Sequence, residues 1–238
     1  MTRILIFDTD DALFKKVAER IVTTSADFIS RKGRFTIALS GGSTPARLYA
    51  LLATPFFEMQ IDWSKWFVFW GDERHVPANS PQNNASAAIQ VLLSKVSIPA
   101  SQVFAVNTKQ PAPEAAADYE KIISAMIPEG GLDLVLLGLG TNGHTASLFP
   151  HTQVLHNITR KVMEEYIIEL DQYRISMTSH FINQANKIFF LVTGKEKSEI
   201  VSRILGDEKD KDSYPALYIN PESGNLSWYL DAEAAAGI

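Results

Sequence analysis

The chain has 238 residues, 46% hydrophobic and 21% charged, which is typical of a globular protein with a sizeable core. Its 22 basic and 27 acidic residues give a formal net charge of −5, which argues against a general nucleic-acid or anionic-membrane surface. The absence of cysteine excludes disulfides and thiolate metal sites. The amino terminus lacks a signal-peptide pattern and no apolar run approaches the roughly 20 residues of a membrane span, so we expect a cytoplasmic protein.

Strand and helix patterns alternate along the chain. Strands are predicted over Ile4–Phe7, Phe35–Leu39, Trp66–Trp70, Val103–Val106, Leu132–Leu137, Val162–Leu170, Arg174–Thr178 and Lys187–Thr193, and helices over Ala12–Arg31, Ala46–Leu52, Asn83–Val96, Glu114–Met126 and Glu196–Leu205. This alternation predicts an α/β fold, an open and mostly parallel Rossmann-like sheet with helices on both faces. Val162–Leu170 and Arg174–Thr178 are expected to form an antiparallel edge or a subsidiary layer. We expect one domain over residues 1–238.

The most informative stretch is a glycine-rich turn after the apolar run Leu132–Leu137. Gly138, Gly140 and Gly143 allow a tight backbone path, and His144 follows directly. Open α/β sheets bind ligands at the carboxyl ends of their strands. The pattern therefore predicts that His144 lies at a site, with a glycine turn carrying a solvent-facing histidine as the plainer alternative.

The same glycines also satisfy the dinucleotide-binding pattern G-x-G-x-x-G, with Glu164 and Glu165 downstream as candidate ribose-binding acids. That pattern should open a full-length helix. Pro150 and a polar run leave room for only about one or two turns, so dinucleotide binding is the weaker interpretation.

A second candidate site follows the strand Phe35–Leu39. Hydroxyl groups and glycines lie between that strand and a helix with Pro45 in its first turn, a pattern that offers free N–H groups and the positive end of a helix dipole. The residues are Ser40, Gly41, Gly42, Ser43 and Thr44. They predict a phosphate-binding turn, although not the nucleotide P-loop, whose spacing and lysine are absent. An ordinary helix start is the alternative.

Asp72 and Arg74 follow a third strand, where they form either a site or a surface ion pair. Arg174 and Lys197 are further candidate basic residues. No G-x-S-x-G nucleophile elbow and no zinc-binding histidine spacing is present. Catalysis is therefore expected to need no metal.

Several motifs in one order resemble the 6-phosphogluconolactonases. They are ALSGGSTPARLY (Ala38–Tyr49), WGDERHVP (Trp70–Pro77), GLGTNGHTASLFP (Gly138–Pro150), FFLVTGKEKSEIV (Phe189–Val201) and the ending Tyr214–Ala235. The resemblance implies cofactor-free hydrolysis of 6-phosphogluconolactone to 6-phosphogluconate, the second step of the oxidative pentose phosphate pathway. We expect a small-molecule sugar-phosphate lactone as partner, no nucleic acid and no membrane, and a monomer or weak homo-oligomer.

The resemblance also implies residue roles. His144 is the catalytic base, Arg74 and Asp72 lie near the substrate, and Ser43, Thr44 and Lys197 lie near the phosphate. One departure concerns Asn142, which stands where the family usually has aspartate. A neutral amide can orient His144 by a hydrogen bond but cannot stabilise an imidazolium by charge. The oxyanion of the tetrahedral intermediate is expected to be held by N–H groups of the glycine turn or by Arg74.

Two alternatives remain. Glucosamine-6-phosphate deaminase/isomerases have a similar glycine–histidine turn followed by F-N-E-P, whereas this chain has Phe149 where their glutamate lies. They also have M-D-E-Y where this chain has Gly71-Asp72-Glu73-Arg74. A non-catalytic sugar-phosphate-binding regulator is the second. Such regulators often carry an added DNA-binding domain, for which residues 1–32 are too short and not basic enough.

Overall fold

The computed structural model describes residues 2–238. Its strands are β1 (Arg3–Phe7), β2 (Phe35–Leu39), β3 (Trp66–Trp70), β4 (Asp72–Arg74), β5 (Leu134–Leu137), β6 (Val162–Ile167), β7 (Gln172–Met177), β8 (Ile188–Val192) and β9 (Leu226–Asp231). Its α-helices are α1 (Asp10–Lys32), α2 (Ser43–Leu52), α3 (Pro55–Glu58), α4 (Asn84–Val91), α5 (Ala112–Met126), α6 (Ser179–Asn183) and α7 (Ser198–Leu205). No helix in this range is long and apolar enough to cross a membrane.

The main sheet is six-stranded, in the order β1-β9-β8-β5-β2-β3, and every neighbouring pair in it is parallel. Its side chains alternate between two hydrophobic cores. Leu134 and Leu136 of β5 pack with α1 and α2 on one face. Val135 and Leu137 pack with α5 and α7 on the other. The predicted α/β fold with helices on both faces is confirmed.

A buried carboxylate ties β2 to the start of β5. Asp133 accepts hydrogen bonds from the N–H of Thr36 at 2.8 Å and from its hydroxyl at 2.9 Å. Lys32 Nζ lies 2.7 Å from the other carboxylate oxygen. This pairing supplies the bonds and the counter-charge that a buried carboxylate needs. It fixes β2 beside β5, so their carboxyl ends meet.

The predicted subsidiary layer is confirmed as a three-stranded antiparallel sheet in the order β4-β7-β6. Gly71 joins the two sheets. Its N–H donates to Leu39 O at 2.9 Å in the main sheet, and its carbonyl accepts from Met177 N at 2.8 Å in the small one. The chain thus turns at Gly71 from β3 into β4, and β4 carries its polar side chains to the carboxyl edge of the main sheet.

Several predicted elements are corrected. Val103–Val106 is not a strand: Val103 makes one isolated bridge to Val68, and the chain then leaves the edge of β3. The helix predicted over Asn83–Val96 ends at Val91, before a 3₁₀ turn, and the one predicted from Glu196 begins at Ser198. Strand β9 was not predicted, although it lies between β1 and β8.

Candidate active site

The candidate site lies between the carboxyl ends of β2 and β5, where successive connections leave in opposite directions and the sheet opens a crevice. A cavity of about 300 Å³ lies there. Its lining contains the predicted residues Ser40, Gly41, Gly42, Ser43, Thr44, Asp72, Arg74, His144 and Lys197. Two predicted residues, Asn142 and Arg174, do not line it: Asn142 contacts His144, and Arg174 lies over Phe149, whose ring stacks on His144.

The turn after β2 presents an uncapped helix end. Gly42, in the left-handed region with φ 112°, precedes α2, and no side chain caps the first turn of that helix. Tyr49 fixes the backbone of Ser40 at the start of this turn, because its hydroxyl accepts from Ser40 N at 2.9 Å and donates to Ser40 O at 2.8 Å. The buried hydroxyl of Ser40 has no partner among the described residues. Unused donors at a helix N-terminus suit an anion.

The turn after β5 is closed by its own hydrogen bonds. Gly140 N donates to His144 O at 2.8 Å, and Gly143 N donates to Gly140 O at 3.0 Å. Thr145 Oγ1 donates to Gly138 O at 2.7 Å. A Cβ on Gly140 would lie 2.1 Å from His144 Nδ1. Glycine is therefore needed at position 140 for the imidazole to take its place.

Asn142 determines the tautomer of His144. The backbone N–H of His144 points at Asn142 Oδ1 at 3.3 Å, and because an N–H can only donate, the amide atom facing it is the oxygen. The same oxygen lies 2.5 Å from His144 Nδ1. Nδ1 must then carry the hydrogen, which leaves the lone pair on Nε2.

Phe149 covers the imidazole. The two rings stack with centroids 4.3 Å apart and an interplanar angle of 14°. Burial lowers the pKa of His144 to about 4, with Lys197, Arg174 and Arg74 acting in the same direction and Asp72 opposing them. The imidazole is therefore neutral at pH 7, although the same lowering makes it a weaker base.

Strand β4 brings Asp72 and Arg74 to the cavity. Asp72 Oδ2 accepts from Ser147 Oγ at 2.6 Å, which fixes the carboxylate. Between them Glu73 points away from the site and accepts the N–H groups of Asn84 and Ala85 at the start of α4, at 2.7 and 2.9 Å. Burial raises the pKa of Glu73 to about 7 despite these bonds.

Arg74 and Arg174 are directly opposite each other on the antiparallel strands β4 and β7. Like charges in cross-strand register are unfavourable unless an anion lies between or beside them. The buried Nε of each has no partner within residues 2–238. Arg174 also lies over the Phe149 ring at 6.0 Å, so it contacts the group that covers His144. Burial and the charge of Arg74 lower the pKa of Arg174.

Sequence reasoning missed Asn84, Thr193 and Glu196, which also line the cavity. Asn84 Nδ2 donates to Asp72 O at 3.0 Å, and a Cβ on Gly41 would lie 1.8 Å from Asn84 Oδ1. Its sequence context indicates only a helix start, so no local signal could have identified it. Within residues 2–238, no group of three or more histidine, aspartate and glutamate side chains is placed to hold a metal ion.

The sequence profile described as Glucosamine-6-phosphate isomerases/6-phosphogluconolactonase matches residues 8–228. The chain belongs to this family. A 6-phosphogluconolactonase of Nostoc sp. is 38% identical, over 95% of this chain and 94% of the relative. The structure of 6-phosphogluconolactonase from Trypanosoma brucei is similar with a TM-score of 0.88 and 31% identity, covering 100% of this chain and 99% of that one.

A monomeric glucosamine-6-phosphate deaminase has a TM-score of 0.83 at 19% identity, over 99% of this chain and 100% of its own. At that identity the likeness concerns the fold alone. The fold is thus common to lactonase and deaminase, and the side chains around His144 must separate the two activities.

Proposed function

We propose that this protein hydrolyses 6-phosphogluconolactone to 6-phosphogluconate, with His144 as general base. One observation carries the proposal. The hydrogen bond to Asn142 leaves the Nε2 lone pair of a neutral imidazole unused beside a cavity that also contains an uncapped helix end and Lys197. A proton acceptor and an anion-binding turn in one crevice suit an uncharged carbonyl group attached to a phosphate.

In the proposed reaction, His144 Nε2 takes a proton from a water molecule as its oxygen attacks the lactone carbonyl carbon. The carbonyl oxygen becomes an oxyanion. The turn N–H groups of Gly140 and Gly143 are already used within the turn, so Arg74 is the favoured donor to that oxyanion. When the ring C–O bond breaks, the imidazolium returns its proton to the departing oxygen.

The phosphate is assigned to the turn Ser40–Thr44 and Lys197. These groups are remote from His144 in sequence yet share its cavity, so phosphate binding can position the ring for attack. We propose that the protein acts as a monomer or weak homo-oligomer. We propose that residues 1–238 act as a single domain with this lactone as its small-molecule ligand.

The deaminase alternative is disfavoured by Phe149. Its ring stacks on His144 at the position where the deaminase/isomerase pattern has glutamate, and a phenyl ring transfers no proton. A binding-only regulator would not need the arrangement that leaves Nε2 free. Ammonia release from glucosamine-6-phosphate, or binding without turnover, would favour one of these alternatives.

The test is acid release from freshly prepared 6-phosphogluconolactone, measured against the spontaneous opening of the lactone. The proposed function requires that the purified protein accelerates acid release and that His144→Ala returns the rate close to background. His180→Ala serves as the matched control, because His180 lies on α6 and does not line the cavity. No acceleration by the wild-type protein would overturn the proposal.

A further inference from the structure

A second cavity lies at the opposite end of the strands of the main sheet. It has a volume of about 340 Å³ and lies between α1 and the amino ends of β1, β8 and β9. The site around His144 lies at the carboxyl ends of the same strands. Because β8 has 5 residues and strands rise about 3.3 Å per residue, roughly 15 Å separate the two edges. The cavities share no residue.

Strand register builds the floor of this second cavity. Arg3 of β1 is opposite Ser227 of β9, which is opposite Phe189 of β8. Residues in register point to the same face of a sheet, so these side chains form one row beneath α1. The next row on that face contains Leu5 and Tyr229. The result is an apolar and aromatic floor with a charged margin.

Three cations surround this floor. Arg3, Arg20 and Lys187 line the cavity, and within residues 2–238 none of them has a carboxylate within ion-pairing distance. The one acidic residue of the lining, Asp27, is paired with Arg31 at 2.7 Å. An unbalanced cationic cluster in a chain of net charge −5 indicates attraction for an anion.

Lys187 is repelled by the charges of the neighbouring arginines. Its Nζ lies 6.0 Å from the centroid of the Phe28 ring, a weak partner for an ammonium group. Burial lowers the pKa of Lys187, and the charges of Arg20, Arg31 and Arg3 lower it further, against Asp27. Arg20 and Arg3 also act on the buried hydroxyl of Tyr229, whose pKa is raised by burial. An anion between these groups would relieve their mutual repulsion.

We propose that this cavity is a second ligand site for a small phosphorylated molecule, with the phosphate between Arg3, Arg20 and Lys187. Guanidinium groups bind phosphate oxygens in pairs, and lysine adds a point charge. The volume is within the range of small-molecule sites. The inference does not depend on the proposed activity, because the residues are separate from the candidate active site.

The test is a titration with inorganic pyrophosphate, followed residue by residue through the backbone amide signals of the full chain. Two groups of signals are expected to move: Gly41 to Thr44 at the candidate active site, and Lys187, Ser227 and Tyr229 at the second cavity. Lys187→Gln should weaken the second group at least tenfold and leave the first unchanged. The unchanged first group also shows that the variant is folded.

Lys121→Gln is the matched control, because Lys121 is an exposed lysine on α5 paired with Asp118 at 3.0 Å and outside this cavity. It should leave both groups of shifts intact. Arg20→Gln should weaken the second group as Lys187→Gln does. The proposal is wrong if pyrophosphate moves only the signals of Gly41 to Thr44, or if the shifts at Ser227 and Tyr229 are equally strong in Lys187→Gln.

Discussion

Two glycine-containing turns lie side by side at the carboxyl ends of β2 and β5, and they differ in what they offer a ligand. The turn Ser40–Thr44 leads into α2, whose first turn has no side-chain cap. The turn Gly138–His144 leads into no α-helix, and the N–H groups of Gly140 and Gly143 are used inside it. The first therefore offers backbone donors and the second offers a side chain. We infer that the first turn binds and the second performs the chemistry.

Removing the imidazole tests the second turn and should have the largest effect. General-base assistance contributes about 10² to 10⁴ in rate, so His144→Ala should lower kcat by that order with little change in KM. Steady-state kinetics on 6-phosphogluconolactone give both constants, and circular dichroism checks the fold. His156→Ala, at an exposed histidine near Asp212, should behave as wild type. A folded His144→Ala protein with wild-type kcat would show that the general base does not lie in this turn.

Removing the phosphate contact tests the first turn. Lys197→Ala should raise KM by about 10- to 100-fold, as expected for a hydrogen bond to a charged group, while kcat changes much less. The unphosphorylated gluconolactone should be a correspondingly poorer substrate, and inorganic phosphate should compete. Lys195 lies in the same 3₁₀ turn but outside the cavity, so Lys195→Ala is the control. Equal KM in wild type and Lys197→Ala would exclude Lys197 from phosphate binding.

Replacing Phe149 tests whether its ring shields the His144 imidazole from water and so lowers the pKa of His144. Phe149→Leu removes a ring stack of the kind worth about 0.5 to 1.5 kcal/mol and lets water reach the imidazole. We expect kcat to fall by no more than about tenfold, and the pKa of His144 to rise toward its ordinary value because its lowering comes first from burial. The imidazole C–H resonances measure that pKa. A pKa unchanged from wild type would show that Phe149 does not shield His144.

The smallest effect is expected for Asn142→Asp. Asn142→Asp keeps an acceptor facing Nδ1 and adds a negative charge, so the pKa of His144 should rise while kcat changes by no more than about tenfold, or roughly 1.4 kcal/mol. Asn142→Leu removes the acceptor and should lower kcat further. Steady-state kinetics of the two variants measure both changes in kcat. Full activity in Asn142→Leu would show that orientation through this side chain is unimportant.

Strong local patterns made much of the fold predictable. Strands β2 and β3 were predicted with their observed bounds because they are short and apolar, with a glycine one or two residues after each. Strand β9 was missed, although it pairs with both β1 and β8. Val103–Val106 has strand composition, but beyond its single bridge at Val103 it finds no neighbour to pair with.

The parts of the candidate site that lie within a single turn could be predicted from the sequence. His144 and Ser40–Thr44 follow strands directly, and both turns face the same cavity. The pairing of Arg74 with Arg174 depends on the register of β4 with β7. Likewise, Asn84 reaches the site through a hydrogen bond to Asp72 from another element. Neither arrangement has a local signature, so each required the folded chain.

The most direct test of the division between the two turns is the pH dependence of kcat/KM on unphosphorylated gluconolactone, which has no phosphate that titrates. The pKa of His144, lowered to about 4 by burial, predicts that activity stays level as the pH falls from 7 and declines only near pH 4, when Nε2 becomes protonated. His144→Ala should lack this decline. A decline centred near the ordinary imidazole pKa of about 6.5, or the same decline in His144→Ala, would contradict a desolvated His144 acting as the base.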